Sequence, residues 1–405
     1  RGRDGDGPGP CSHRVEPPLS VSPNAGDPMH DVVIVGARCA GAPLAMLLAR
    51  AGHDVLMVDR ATFPSDTMST HFIQSPGMGR LHEWGLIDAV FETNCGPVTT
   101  AFFDVGGEPL EFDIPLREPI SALAAPRRTI LDKLLVDAAV ADGAQLAEGV
   151  MVNSLIVEDD RVVGIAGQAS DGTFEARGRM VVGADGRHSV VARDTDALIE
   201  QSVDALTAGY YNYFPDTGVA NTRFFLREDF VSVMFPTNDD LTLVAIAWRN
   251  ERFAELRRDI EGNFYKALDE LGEAAEGARN GRPAERWVGT ADIPNFIRKT
   301  HGPGWALVGD AAYHKDPTNA DGISDAFRGA ALLADAIGKV LREGIDETTA
   351  LDDYERAHDE AARRYFDPAV EVARLDLTPQ ERFQAFLQAR MHNDTELAEV
   401  LGVEA

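Results

Sequence analysis

Residues 31–60 read DVVIVGARCAGAPLAMLLARAGHDVLMVDR. Val32–Val35 is an unbroken apolar run, the pattern of a strand buried on both faces. Gly36-Ala37-Arg38-Cys39-Ala40-Gly41 follows at once, then a helical run from Pro43 to Arg50 that Gly52 closes. A second strand, Asp54 to Val58, ends on Asp59, 23 residues after Gly36. This is a βαβ unit of the length that binds dinucleotides. Gly36 lets the chain turn sharply out of the strand, Gly41 lets helix and strand pack closely, and the helix N-terminus offers free N–H groups to a pyrophosphate. Asp59 stands where a carboxylate accepts hydrogen bonds from an adenosine ribose. Cys39 and Ala40 complete the turn, Cys39 as a small packing residue rather than a redox thiol. Arg38 replaces the second glycine of the fingerprint, which argues against a tight NAD-type turn and sets a guanidinium where it could neutralise phosphate charge. The bland alternative is a generic α/β turn whose glycines serve packing.

Outward from this unit the chain keeps an ordinary globular composition. Of 405 residues, 44% are hydrophobic and 26% charged. The net charge of -28 makes nucleic acid and anionic membrane poor partners. Three cysteines without pairing or metal spacing fit a reducing cytoplasm. No apolar run reaches the roughly 18 residues of a membrane span. Residues 1–28, rich in Gly, Pro, Asp and Ser, read as a disordered extension, or as sequence upstream of a start at Met29.

Downstream, 61–75 reads as a long loop and Gly77–Trp84 as a short helix. Thr99–Ile114 alternates as a hairpin about Gly106-Gly107. After Arg127-Arg128 comes a helix with Ile130, Leu134, Leu135 and Ala138 on one face. Strands are expected within 149–183, closing on Gly183-Ala184-Asp185-Gly186. A mainly antiparallel sheet is expected over 205–250, and helices at 251–279. Trp305–Val308 is a further buried strand ending on Gly309-Asp310-Ala311-Ala312. A helix runs from Gly322 to Leu341, and the tail is helical, with Thr378-Pro379-Gln380-Glu381 as a capping box. Asp159-Asp160 and Glu273–Glu276 read as solvated turns and faces, and no metal site is expected.

Three separated motifs, each after a strand, resemble those of FAD-dependent monooxygenases of the aromatic-hydroxylase type (p-hydroxybenzoate hydroxylase-like). Geranylgeranyl-reductase-like flavoproteins and flavin halogenases lie behind that group. Gly36, Gly41 and Asp59 match the first motif, and Asp185-Gly186 with Ser189 the second. Gly309-Asp310-Ala311-Ala312 with Pro317 and Gly322 matches the third. The resemblance implies an α/β fold: a Rossmann-type FAD-binding domain with a parallel sheet, interleaved with a mainly antiparallel substrate sheet, and a helical C-terminus. The implied division is 29–96 with 122–203 and 285–345 for FAD, 97–121 with 204–284 for substrate, and 346–405 for the C-terminal helices.

The same resemblance implies roles. Asp59 would bind the ribose with Arg60 beside it, Arg128 would open a helix next to FAD, and Val152 would meet adenine. Asp185 would serve the nucleotide structurally, and Asp310 would hold the ribitol. Gly322 and Ile323 would turn N–H groups toward the flavin pyrimidine, where reduced flavin carries negative charge. Tyr313 and Ala320 depart from the family's His and Gly.

The implied reaction uses NADPH or NADH, or a separate reductase, to reduce FAD, and O2 to form a flavin C4a-hydroperoxide. One oxygen atom then passes to a small organic substrate, on a monomer or homodimer. Reduction of C=C bonds and flavin binding without catalysis are the alternatives. A halogenase is disfavoured, since none of Trp84, Trp248, Trp287 or Trp305 forms Trp-x-Trp-x-Ile-Pro. Candidates for proton handling or positioning are His71, Tyr211, His314 and Asp316. Tyr211 and Tyr213 share one sheet face, where core packing is the competing explanation.

Overall fold

A computed structural model describes residues 29–403; the expected disorder of 1–28 lies outside the described residues. The strand His30–Val35 pairs in parallel with Val55–Asp59 on one side and with Gly172–Gly183 on the other. Its unbroken apolar run is explained by burial on both faces. Val32 and Ile34 pack with Leu44, Met46 and Leu131, while Val33 and Val35 pack with Leu56, Val181 and Leu307. Each such side chain contributes roughly 1.5–3 kcal/mol. Gln145–Glu148 and Trp305–Leu307 extend the sheet in parallel at its two sides. Helices Gly41–Arg50, Arg128–Ala141 and Gly322–Gly338 pack along one face.

Gly172–Gly183 serves two ladders. Residues 178–183 lie in the parallel sheet, and 172–177 pair antiparallel with Arg161–Ala169, which in turn pairs with Met151–Glu158. A second, seven-stranded sheet runs Val288–Thr290, Thr207–Pro215, Leu241–Arg249, Phe230–Pro236, Thr222–Leu226, Thr100–Asp104, Leu110–Asp113. It is antiparallel except where Thr222–Leu226 meets Thr100–Asp104. Alternation sorts its side chains. Tyr211, Tyr213, Phe224, Val233, Phe235 and Leu243 join the core shared with the nucleotide-binding sheet. Tyr210, Phe214, Phe230, Met234 and Trp248 pack on the helix Ile260–Asp269.

Two expectations shift. The helix at Arg128 buries Leu131, Leu135 and Ala139; of the expected face, Leu135 is buried and Leu134 and Ala138 only partly so, which turns the buried stripe past Ile130. The short helix begins at Ser75, two residues before Gly77, with a proline in its first turn. The tail forms two long helices, Glu347–Ala373 and Pro379–Leu401, the latter opened by the full Thr378/Glu381 capping box. Among the described residues no helix is long and apolar enough to cross a membrane.

Candidate functional site

At the end of the first strand Gly36 takes φ +100, and a Cβ there would lie 2.4 Å from the Ala184 carbonyl oxygen. The turn is fastened from the second strand: Asp59 accepts the N–H of Ala37 (2.8 Å) on one oxygen and that of Ala61 (2.8 Å) on the other. Each oxygen keeps a second lone pair for a sugar hydroxyl. Arg60 beside it is exposed, and Val152 packs against the same strands.

Behind the turn lies a buried carboxylate. Asp132 is fully buried and accepts from Arg38 (2.6 Å), from both arms of Arg128 (2.8 and 3.1 Å) and from the Cys39 thiol (3.4 Å). Arg38 also holds Ser65 through its backbone oxygen (3.2 Å) and its hydroxyl (2.7 Å), and lies over Phe63. The residue expected to face phosphate therefore ties the 61–74 loop to the helix at 128. Burial pushes the Cys39 thiol well above its ordinary range, which fits a packing role.

The helix starts divide into two groups. Those at Val190, Ile260, Glu347 and Pro379 carry a Ser, Asp or Thr side chain accepting a backbone N–H. Those at Gly41, Ser75, Ile87, Arg128, Phe253, Glu276 and Gly322 carry none. Of these, Gly41 and Gly322 lie at the first and third motifs and Arg128 opens the helix beside them, where free N–H groups and a positive end suit an anion. Gly309 (φ +63) puts its Cα beside Ala40, joining the third motif to the first. Asp310 is exposed, and its charge reaches Arg128. On either side of Gly322, buried polar atoms without a protein partner collect: Thr318 Oγ1 and both amide atoms of Asn319 before it, and Ser324 Oγ after it. Ile323 is buried beside them, and Ala320 holds the left-handed conformation (φ +56) usual for glycine. Asp185 accepts the N–H of Val190 (2.7 Å) and so anchors the loop after the second motif.

The four candidates for proton handling fall into two sets. His71 and Tyr211 come together: the His71 Nε2 lies 2.5 Å from Tyr213 Oη, the two rings stack at 5.7 Å, and Tyr211 meets the His71 ring edge-on at 6.3 Å. Arg127 lies 4.4 Å over the Tyr213 ring. His314 and Asp316 have other partners. His314 Nδ1 bonds the Pro294 carbonyl and its ring stacks on Phe296. Asp316 is fully buried, accepts from Thr207 (2.6 Å) and caps the turn at Pro317. These contacts give Asp316 a structural task. Gln74 bonds the Asn319 carbonyl (3.1 Å), so the loop carrying His71 ends against the segment that leads into Gly322.

Burial pushes His71 down to about 3, with Arg128 and Arg127 adding to the effect, so it is neutral at ordinary pH. Its Nδ1 is buried without a protein partner. Because the folded pKa lies below the unfolded value of about 6.5, this contribution to stability is complete above that pH. It is lost as pH falls from there toward 3, by at most about 1.4 kcal/mol per unit. Between pH 6.5 and 5 the melting temperature should fall more steeply for the wild type than for His71→Gln; parallel slopes would refute the assignment.

Tyr213 was expected beside Tyr211 on one sheet face, whereas Arg127 and Asp132 lay outside the expected site; Asp132 was marked only by its i,i+4 spacing from Arg128. Nothing in the sequence signalled the stacking of Arg127.

Anion-ready helix starts, a ribose-ready carboxylate and unpartnered polar groups at the third motif suit an adenine dinucleotide with a polar ring system, and that makes the class a flavoprotein. Residues 29–369 match the family described as FAD binding domain, and the chain belongs to it. It is an FAD-dependent oxidoreductase. Digeranylgeranylglycerophospholipid reductase 2 of Methanopyrus kandleri is 25% identical over 358 residues, 85% of this chain and 86% of that protein. Menaquinone reductase of Mycobacterium tuberculosis is 28% identical over 328 residues, 77% of each. Among solved structures, the myxobacterial chondrochloren halogenase CndH has a TM-score of 0.78 at 21% identity, covering 92% of this chain and 90% of that one. PqsL, a probable FAD-dependent monooxygenase from Pseudomonas aeruginosa, has a TM-score of 0.75 at 20% identity, covering 89% and 100%. At these identities the structural likeness is one of fold.

Proposed function

We propose that the protein is a monooxygenase that inserts one oxygen atom of O2 into a planar, largely apolar organic substrate, with NADPH or NADH as electron donor. The balance is substrate–H + O2 + NAD(P)H + H⁺ giving substrate–OH + H2O + NAD(P)⁺. FAD, once bound and reduced, supplies the two electrons that activate oxygen. Asp59, Arg128, Asp310 and the helix starts at Gly41 and Gly322 would hold it.

The observation that carries the reading is the neutral His71–Tyr213 pair on an apolar sheet face. Val233, Phe235 and Leu243 flank the tyrosines on that face, and Phe72 stacks on Phe235 at 4.7 Å. Such a wall orients a ring and keeps water from the reacting atoms. Tyr213 and His71 share a hydrogen bond through which a proton at the substrate's polar substituent is held or passed on. Burial pushes Tyr211 up to about 12, so it also stays a neutral donor.

A second reading, reduction of a C=C bond, is favoured by the kinship with proteins named as reductases. There the same pair would deliver its proton to carbon. The test is the visible spectrum of the purified protein with NADPH or NADH, under nitrogen and then in air. Oxygenation predicts flavin bands that bleach under nitrogen and return with oxygen, releasing peroxide when no substrate is present. In Tyr213→Phe, flavin content should persist while product formation falls by about 10²-fold or more. Flavin that stays oxidised with both nicotinamides would favour an external reductase or the C=C reading. Failure to take up FAD on reconstitution would end both.

A further inference from the structure

Away from the flavin site, the sheet edge beyond Trp305–Leu307 carries a second cluster of chemistry-bearing groups. The short strand His301–Gly302 folds back on Trp305–Leu307, with His301 opposite Ala306. The long helix Glu347–Ala373 packs along this edge and presents Asp352 and Glu355, three residues apart on one face. His301 Nε2 stands 2.9 Å from a Glu355 carboxylate oxygen and 3.2 Å from one of Asp352. The three ligand atoms all lie within 4.8 Å of one another.

The histidine supplies the decisive observation. His301 is only 4% exposed, and its Nε2 makes no well-aligned hydrogen bond although two carboxylates stand within ion-pair distance. An ordinary His–carboxylate pair would align the N–H with one oxygen. Here one nitrogen faces two carboxylates at once. Neighbouring ligands of a tetrahedral zinc ion, at about 2.0–2.2 Å from the metal, stand roughly 3.3 Å apart, and the two measured separations are close to that.

We propose that His301, Asp352 and Glu355 form a binding site for one divalent transition cation of the zinc type, with water completing the coordination. Imidazole plus two carboxylates suits such an ion better than magnesium or calcium, which prefer all-oxygen shells. Two carboxylates against Lys299, whose Nζ is 3.9 Å from Glu355, leave the cluster one negative charge in excess. Lys299 is half exposed and free to swing into solvent. The site would fasten the helix to the sheet edge. Tyr354 of the same helix already donates to the Leu307 carbonyl (2.8 Å), two residues ahead of Gly309.

The experiment uses the whole chain, stripped with a chelator and dialysed against zinc chloride, with metal per chain measured directly. One zinc per chain is expected. Asp352→Asn should weaken binding at least tenfold and Glu355→Gln at least a hundredfold. The Asp352 side chain is 60% exposed, so its variant tests the site without threatening the fold. Zinc at about 100 times its Kd should raise the melting midpoint of the wild type by roughly 3 °C and that of Asp352→Asn by no more than about half as much. Uptake well below one per chain, or wild-type affinity in both variants, would overturn the proposal. Wild-type affinity would place the ion elsewhere among the acidic groups of the chain.

Discussion

Asp132→Asn should be the most damaging single change at the flavin site, destabilising the protein by about 3–5 kcal/mol and leaving it colourless. The carboxylate is fully buried and serves two guanidinium groups and a thiol. Removing its charge strands Arg38 and Arg128 in a setting where an unpaired charge is far more costly than in water. The asparagine amide, a donor itself, would oppose Arg128, which now makes a two-pronged contact. Loss should therefore appear twice: as a lower denaturation midpoint, and as flavin absent from the purified protein. Cys39→Ala is the matched control. The Cys39 thiol makes a weak bond at 3.4 Å, so removing it should change the midpoint little. If Asp132→Asn binds flavin normally, the network is not what organises the turn.

Gly41→Ala comes next. An ideal Cβ at Gly41 would lie 1.8 Å from the Gly36 carbonyl oxygen and 3.2 Å from the Ala184 Cβ. Both obstacles belong to the meeting point of the first and second motifs, and backbone cannot rotate aside as a side chain would. The helix must back away from the strand end, at a cost at or beyond the roughly 3 kcal/mol upper range of ordinary overpacking. The N–H groups meant for pyrophosphate would move with it. Flavin per chain should fall by an order of magnitude or more. Gly107→Ala, where nothing lies within 4 Å of the added atom, should behave as wild type; equal losses in the two variants would sink the steric argument.

How far the sequence spoke depended on the range of the interaction. The βαβ unit was legible because each of its requirements is local: an apolar run, glycines at fixed offsets, and an acid at the next strand end. The antiparallel sheet was legible for the same reason, since alternation assigns Tyr211 and Tyr213 to one face. What faces them was not. His71 lies some 140 residues earlier, in a loop without periodicity and in the left-handed conformation (φ +66). The helix at 128 shows a narrower failure. The expected face Ile130/Leu134/Leu135/Ala138 and the buried one Leu131/Leu135/Ala139 share Leu135, and one residue rotates a helix by about 100°, so composition could not choose between the two neighbouring stripes. Arg38 was expected to face phosphate because its neighbours were known only from the turn; Asp132 arrives from a helix that spacing alone cannot aim. His301, Asp352 and Glu355 carry no motif, and the sheet edge alone assembles them.

The doubly used strand Gly172–Gly183 has a consequence for biosynthesis. His30–Val35 leaves the ribosome before either neighbour; its second neighbour follows about 140 residues later, and the strand leading into Gly309-Asp310 later still. The phosphate turn is thus complete in sequence long before the sheet that stiffens it can close. Pairings this distant fold slowly, because the closure entropy of a long loop precedes any gain from contact. A nascent chain stopped short of residue 305 would still lack the strand Trp305–Leu307, and with it the platform for the Gly309 turn. Cofactor capture then waits for that strand, and free FAD at that moment would act as a template that selects the finished fold.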